Sequence, residues 1–223
     1  TEYQIGGDED IASTWAEVGK DLGRIRAKTW KQDDQGRYIV DANGLPVIPS
    51  TSQDIGGSTP KCNWGWHNTF QYKQFSLDLQ IDGRIGGTII SSSDAYGAYY
   101  GVTANTLPYR TDSWVLEGTV HEDGTPNTTA ITSEAFWKAV AQARQAAGGF
   151  FAFDATTARL RSLSLSYDFN LGKDNFVKMA RIAVTGRNLL MLYRGKNKLS
   201  IPGLEDRKIP VDPESFSSIG SYQ

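Results

Sequence analysis

Two stretches of strict period-two alternation limit what this chain can fold into. From Trp64 the sequence reads W-G-W-H-N-T-F-Q-Y, with Trp64, Trp66, Asn68, Phe70 and Tyr72 on one parity and Gly65, His67, Thr69 and Gln71 on the other. After Lys73-Gln74 it resumes as F-S-L-D-L-Q-I-D, with Phe75, Leu77, Leu79 and Ile81 opposite Ser76, Asp78, Gln80 and Asp82. Alternation on both sides of a two-residue connection predicts a β-hairpin. A second hairpin follows the same plan. Leu163, Leu165, Tyr167 and Phe169 alternate with Ser162, Ser164, Ser166 and Asp168, and a turn around Leu171–Asn175 leads into Ala180, Ile182 and Val184 alternating with Arg181, Ala183, Thr185 and Arg187.

An earlier strand is expected over about 23–30. Asp33-Asp34-Gln35-Gly36 and Asp41-Ala42-Asn43-Gly44 spell the turns of a small hairpin in the connection that follows. One helix is expected, over Ser133–Ala147, with Ser133 capping its start and Gly148-Gly149 its end.

The connections alternate in length: short at 73–74 and 170–176, long at 31–62, 83–156 and from 193 onward. Antiparallel strands put alternate connections at opposite ends of a sheet, so all the long loops share one end. Soluble domains seldom carry structureless connections of that size, whereas outer-membrane barrels do so as a rule. The aromatics fit such a barrel. Tyr72, Phe75, Tyr167 and Phe169 gather at the short-turn end and Trp64 and Trp66 toward the other. Trp64 to Tyr72 spans roughly 26 Å at ~3.3 Å per residue, or about 20 Å along the normal of a tilted strand. A soluble sandwich, its apolar faces meeting in a core, explains the alternation equally well but not the one-sided loops.

Composition removes other classes. The 9 Phe, 6 Trp and 10 Tyr are too many for a disordered chain. With 23 basic against 25 acidic residues there is no footprint for nucleic acid. The longest apolar runs fall short of the ~20 residues of a membrane helix, and the mean hydropathy of −0.41 is compatible with alternating barrel strands. Cys62 is alone and reads as a structural residue at a strand start. His67 and His121 lack partners at triad-like or metal-like spacing, and Asp78 and Asp82 read as solvated neighbours on a polar face. No catalytic set, metal site or cofactor is expected, and Asn127-Thr128-Thr129 matches a glycosylation sequon in spelling only.

The stretch NWGWHNTFQYKQFSLDLQIDGRIGG resembles the late-barrel segment of SusC/RagA-family TonB-dependent outer-membrane transporters. GRIRAKTW followed by DANGLPV, EDGTPNTTAIT ahead of the helix, and DATTARLRSLSLSYDF followed by ARIAVTGRNLLML are similar in the same order. The resemblance implies an all-β, antiparallel transmembrane β-barrel segment, about five strands of a 22-strand barrel, with long extracellular loops and one short loop helix. Residues 1–223 would form the C-terminal portion of the barrel, without plug domain or closing strand. The implied activity is import of a large nutrient, glycan or peptide, and not enzymatic. The implied partners are a SusD-like lipoprotein lid, TonB (through the absent N-terminal part), outer-membrane lipid and the rest of the same barrel. The alternative is a soluble all-β carbohydrate-binding module.

Within the 83–132 connection, Tyr96, Tyr99, Tyr100, Tyr109 and Trp114 are the candidate contacts for cargo or lid. Aromatics in a water-facing loop can stack on sugars or pack peptide side chains. The competing reading is that they pack on one another, on the helix or on the lid. The helix face of Phe136, Trp137 and Val140 is expected to bury on the loop base.

Overall fold

The structure, a computed structural model, describes residues 2–8, 11–142, 146–170, 176, 179–205 and 207. In chain order the strands are β1 (Glu2–Asp8), β2 (Ala12–Glu17), β3 (Arg24–Ala27), β4 (Ile39–Val40), β5 (Gln53–Gly57), β6 (Cys62–Tyr72), β7 (Phe75–Ile85) and β8 (Thr88–Ile90). Helix α1 (Ser92–Tyr99) precedes β9 (Ser113–Val115), β10 (Val120–His121) and β11 (Ala130–Thr132). Helix α2 (Ser133–Ala141), β12 (Ala152–Asp154), β13 (Thr157–Asn170) and β14 (Met179–Arg194) complete the order. These fall into two compact units. One gathers 1–59, 87–155 and 195–223, and the other gathers 60–86 and 156–194.

The second unit is a four-stranded antiparallel meander, β14-β13-β7-β6. Its first hairpin follows the alternation residue for residue. Tyr72 pairs with Phe75 across Lys73-Gln74, and Lys73 takes a φ of 53°, the left-handed geometry of a two-residue turn. The second hairpin pairs Leu165 with Val184 and Tyr167 with Ile182. Its expected turn at 171–175 lies outside the described residues. Because β7 also pairs with β13, the 73–74 turn and the β13–β14 connection share one end of the sheet.

The loop unit holds the core. Ile25, Trp30, Val40, Leu116, Phe136, Trp137, Val140, Phe150, Phe151 and Ile201 are all buried there. A four-stranded sheet, β1-β2-β3-β5, contributes one face, on which Ile25 and Ala27 alternate inward between Arg24 and Arg26. The strand expected over 23–30 is thus confined to Arg24–Ala27. Beyond it Trp30 turns into the core, where its Nε1 donates to the Ile39 carbonyl (2.7 Å) and its ring stacks on Tyr38 at 4.5 Å. The β1–β2 hairpin was not anticipated: its glycines and a register shift between Gln4 and Gly6 blur the period.

The two expected loop turns are present. Gly36 donates to the Asp33 carbonyl and Gly44 to that of Asp41, each at 3.0 Å, while the Asp33 and Asp41 carboxylates accept backbone N–H groups two and four residues on. A twin of the second turn lies at His121–Thr125. Here Gly124 donates to His121, and strand β10 leading in pairs in parallel with β4. Val40 bridges Pro46 and Val120 bridges Pro126, so the same turn is built twice, side by side.

Helix α2 departs from its expected limits at both ends. Thr132 is the cap, its hydroxyl accepting from Ala135 N at 3.2 Å, and the helix is described to Ala141, with Gln142, Ala146 and Ala147 not part of it; residues 143–145 of the expected helix lie outside the described residues. Ala147 N reaches back to the Val140 carbonyl (2.8 Å), which draws Ala146 and Ala147 into the core. Gly148-Gly149 open a 3-10 turn, Gly148–Phe151, rather than capping the helix. A Cβ on Gly149 would lie 2.6 Å from Thr29, so close packing is what requires glycine. Helix α1 is a second helix, not the single one expected. Its Gly97 and its tyrosines disguise it, but Ser91 caps it by accepting from Asp94 N (3.1 Å) and Thr103 packs against the Gly97 gap.

Candidate functional site

Register sorts the meander into two chemically opposite faces. Tyr72–Phe75–Tyr167–Ile182, Phe70–Leu77–Leu165–Val184, Trp66–Ile81–Leu160–Leu190 and Trp64–Gly83–Ala158–Tyr193 are cross-strand rows of the apolar face. Most of these side chains are open to solvent, with Val184 at 73% and Tyr72 at 71%. Phe75 meets Tyr167 edge-on at 4.7 Å, and Tyr167 meets Phe169 at 4.6 Å, forming one aromatic band; Trp64, Trp66 and Tyr193 form another toward the opposite end of β6. The Trp64 indole lies where a Cβ on Gly83 would sit, 2.9 Å away. Large rings therefore cover the bare backbone of that row.

The other face carries Gln71–Ser76–Ser166–Ala183, Thr69–Asp78–Ser164–Thr185 and His67–Gln80–Ser162–Arg187. Arg181 clamps Asp168 (2.7 Å), Thr69 donates to Asp78 (2.6 Å), and Arg161 binds Asp82 through Nε (2.8 Å) and Nη2 (2.7 Å). Burial in this unit is inverted: its most enclosed described residues are Ser76, Thr157, Arg159 and Ser166, all polar. Hydrophobic collapse in water would have produced the reverse. No helix among the described residues is long and apolar enough to cross a membrane.

The five candidate aromatics all lie in the loop unit, at different depths. Trp114 is in the core, 7% exposed, stacked on Tyr109 (4.6 Å) and tilted against Phe136 (5.3 Å), with Nε1 donating to the Pro202 carbonyl (3.2 Å). Tyr96, Tyr99 and Tyr109 pack half-buried against that core. Tyr100 closes α1 and is 69% exposed, meeting Tyr99 edge-on at 5.1 Å. Val102 and Leu107 are exposed beside it in sequence. Arg110 fixes this tip by donating to the Gly101 carbonyl and to Thr106 Oγ1 (3.0 Å). The expected α2 face is buried as read, since Phe136, Trp137 and Val140 all lie in the core.

Sequence reasoning missed one buried charged pair. Asp94 is 2% exposed and faces Arg207 at 3.8 Å, while Arg207, 5% exposed, donates to the Phe150 carbonyl (2.6 Å) among the rings of Trp137, Phe151 and Phe153. Burial pushes the Asp94 carboxyl above its ordinary range, against the pull of Arg207, and the same burial lowers Arg207 to about 10. Nothing in the spacing of Asp94 and Arg207 signals this pairing.

Cys62 begins β6 and is exposed. Asn127 is buried, donating to Thr119 Oγ1 (3.1 Å) and accepting from Thr129 N (2.9 Å), so its amide serves a turn. His67 lies 4.0 Å from Asp78, and no cluster of metal-ligating side chains occurs among the described residues.

No family model matches the chain. It is 26% identical over 168 residues to "TonB-dependent receptor P3" of Formosa agariphila, covering 71% of this chain and 14% of that protein. In fold it is similar to the RagAB peptide importer in its closed-closed state, with a TM-score of 0.56, 20% identity, and coverage of 86% of this chain and 21% of that one. The chain therefore spans less than a quarter of either. In sequence the chain is similar to a TonB-dependent receptor, and in fold to part of a peptide importer.

Proposed function

We propose that the chain forms part of the barrel wall and extracellular loops of a TonB-dependent importer of a large nutrient, glycan or peptide. In this reading 1–223 is a late portion of the barrel. The loop unit faces the cell exterior and a SusD-like lipoprotein lid, and TonB acts through another part of the same transporter. The inverted burial of the meander carries the reading. Its apolar rows suit lipid and its polar rows suit the polar interior of a barrel. Strands β6 and β14 also end the sheet without a further neighbour among the described residues, and hydrocarbon does not tolerate open backbone edges, so the rest of a barrel must supply them.

Leu79 and Gln80 are adjacent in β7 and lie on opposite faces. Leu79→Arg in the full-length transporter is expected to cost ~2–4 kcal/mol and impair assembly, while Gln80→Arg is largely tolerated. Heat-modifiable migration of the outer-membrane protein measures this. Equal damage from both, or the reverse order, removes the lipid-face assignment.

Among the five loop aromatics, the reading gives Tyr100 the contact role, with Val102 and Leu107, and gives Trp114 and Tyr109 the supporting one. Tyr100→Ala should weaken lid or cargo binding by ~1 kcal/mol or more at normal surface expression. Unchanged uptake and lid closure would return Tyr100 to rim packing.

A further inference from the structure

One turn of the loop unit is built against its own backbone preference. Arg110 N donates to the Leu107 carbonyl (3.4 Å) across Pro108 and Tyr109, and Tyr109 takes a φ of 57°. Positive φ at the second central position of a four-residue turn normally brings glycine. For a bulky L-residue the left-handed region is costly, and it persists only where surrounding contacts enforce it. Two such contacts are present: the Tyr109 ring stacks on Trp114 at 4.6 Å, and its carbonyl accepts from Ser133 N at 3.3 Å.

The residue leaving this turn is Arg110, and it closes on the end of α1. Its Nη2 donates to the carbonyl of Gly101, the residue after Tyr100, and to Thr106 Oγ1 (3.0 Å). Thr106 is buried in the 3-10 turn Ala104–Thr106, its hydroxyl donating to the Thr103 carbonyl (2.7 Å) and its own carbonyl accepting from Ser133 Oγ (3.1 Å). In the same turn Asn105 donates through Nδ2 to both carboxylate oxygens of Asp94, at 3.2 and 3.3 Å, in the first turn of α1. Asp94 also faces Arg207, which is anchored on the Phe150 carbonyl. Polar contacts therefore run from Arg207 in the core through Asp94 to the Asn105-Thr106 turn, and from there through Arg110 to the carbonyl beside Tyr100.

Resting on the contact role given to Tyr100 above, we propose that Asn105 and Arg110 are positioning residues that hold the Tyr99–Val102 end of α1 in one geometry, so that Tyr100 meets its partner already ordered. A segment that must be ordered on binding weakens the complex by the cost of ordering it, and a preorganised one does not. The strained turn belongs to the same device: with Tyr109 stacked on Trp114, the following residue reaches back onto Gly101.

The test is hydrogen exchange in the full-length protein, comparing residues 97–107 with the core stretch 146–151. In the unaltered protein Gly101 N donates to the Ala98 carbonyl (3.0 Å) and Val102 N to that of Gly97 (2.9 Å), so both amides report on this end of α1. Arg110→Ala should speed their exchange about tenfold, the size of one charge-assisted hydrogen bond, and Asn105→Ala about fivefold, with Arg110→Lys partly restoring protection. The double variant Arg110→Ala with Asn105→Ala should exchange more slowly than the product of the two single effects, since both act on one network. Unchanged exchange in Arg110→Ala overturns the proposal, as does equal acceleration of 146–151, which is general loosening. Single effects that simply multiply overturn the continuous chain. Uptake by Tyr100→Ala keeps the two levels apart. Normal uptake by that variant, beside a loosened tip in Arg110→Ala, sinks the contact role and leaves the positioning chain standing. Impaired uptake beside an unchanged tip sinks the positioning chain alone.

Discussion

The two units apply one patterning rule to opposite solvents. In the loop unit the alternating residues of β3 send Ile25 and Ala27 into a core with Trp137 and three phenylalanines, and the charged residues face out. In the meander the equivalent parity, Leu165 or Val184, is left bare, and polar residues are the ones enclosed. Alternation therefore reports only that two faces differ. Which face meets water is decided by what else the chain supplies to cover the apolar one. The loops bring two helices and many large side chains to cover β3; among the described residues of the meander nothing comparable covers its apolar rows.

Large-to-small substitutions give the widest separation between the units. Phe136→Ala, in the centre of the loop core, should destabilise that unit by about 3–5 kcal/mol, read as protease sensitivity of the loops in the full-length protein. Val184→Ala on the bare face should change loop protection very little. If both substitutions expose the loops equally, the units are not separate in stability.

Next comes Arg207→Met, which leaves Asp94 buried without its cation. At neutral pH it should cost about 3 kcal/mol, as removal of one partner from a buried pair does. The Asp94 carboxyl already sits above its ordinary range and should rise further. A folded-state carboxyl raised above its unfolded value loses stability as pH rises through the interval between the two. The deficit of the variant should therefore shrink on acidification into that interval, measured as loop protection at about pH 5 against about pH 7. A deficit independent of pH would mean that Arg207 acts through its packing on Trp137 and Phe151 alone.

The smallest effect is expected at the aromatic bands. Trp64→Ala removes a ring from over Gly83 and should cost about 1 kcal/mol in assembly. Thr69→Ala, opposite Asp78 on the polar face, should cost less. A larger loss at Thr69 would reverse the assignment of faces.

Legibility followed the range of the forces involved. The β6–β7 hairpin was readable to the residue because a two-residue turn leaves one register, and the Asp33 and Asp41 turns because a carboxylate binds its own backbone. Helix α1 was not readable, since Gly97 is there for Thr103, a contact outside the helix. The expected extension of α2 to Ala147 has the same origin: alanines have helical propensity, but core packing of Ala146 and Ala147 overrides it there. At the candidate site, composition found the five loop aromatics without ranking them. Only the stack of Trp114 on Tyr109 and Phe136 separates a supporting ring from the exposed Tyr100.

The twin turns at Asp41–Leu45 and His121–Thr125 constrain how such loops can diversify. Strands β4 and β10 are far apart in sequence, yet each is the other's neighbour in a parallel pair, and each leads into a turn closed on its own proline. Neither loop can be exchanged alone. A graft of residues 31–59 from a relative would present β10 with a foreign partner strand, so a folded chimera is expected to carry 113–132 with it. Substitutions in one turn are therefore expected to need matching changes in the other, and a library built on one of them should sample mostly misfits.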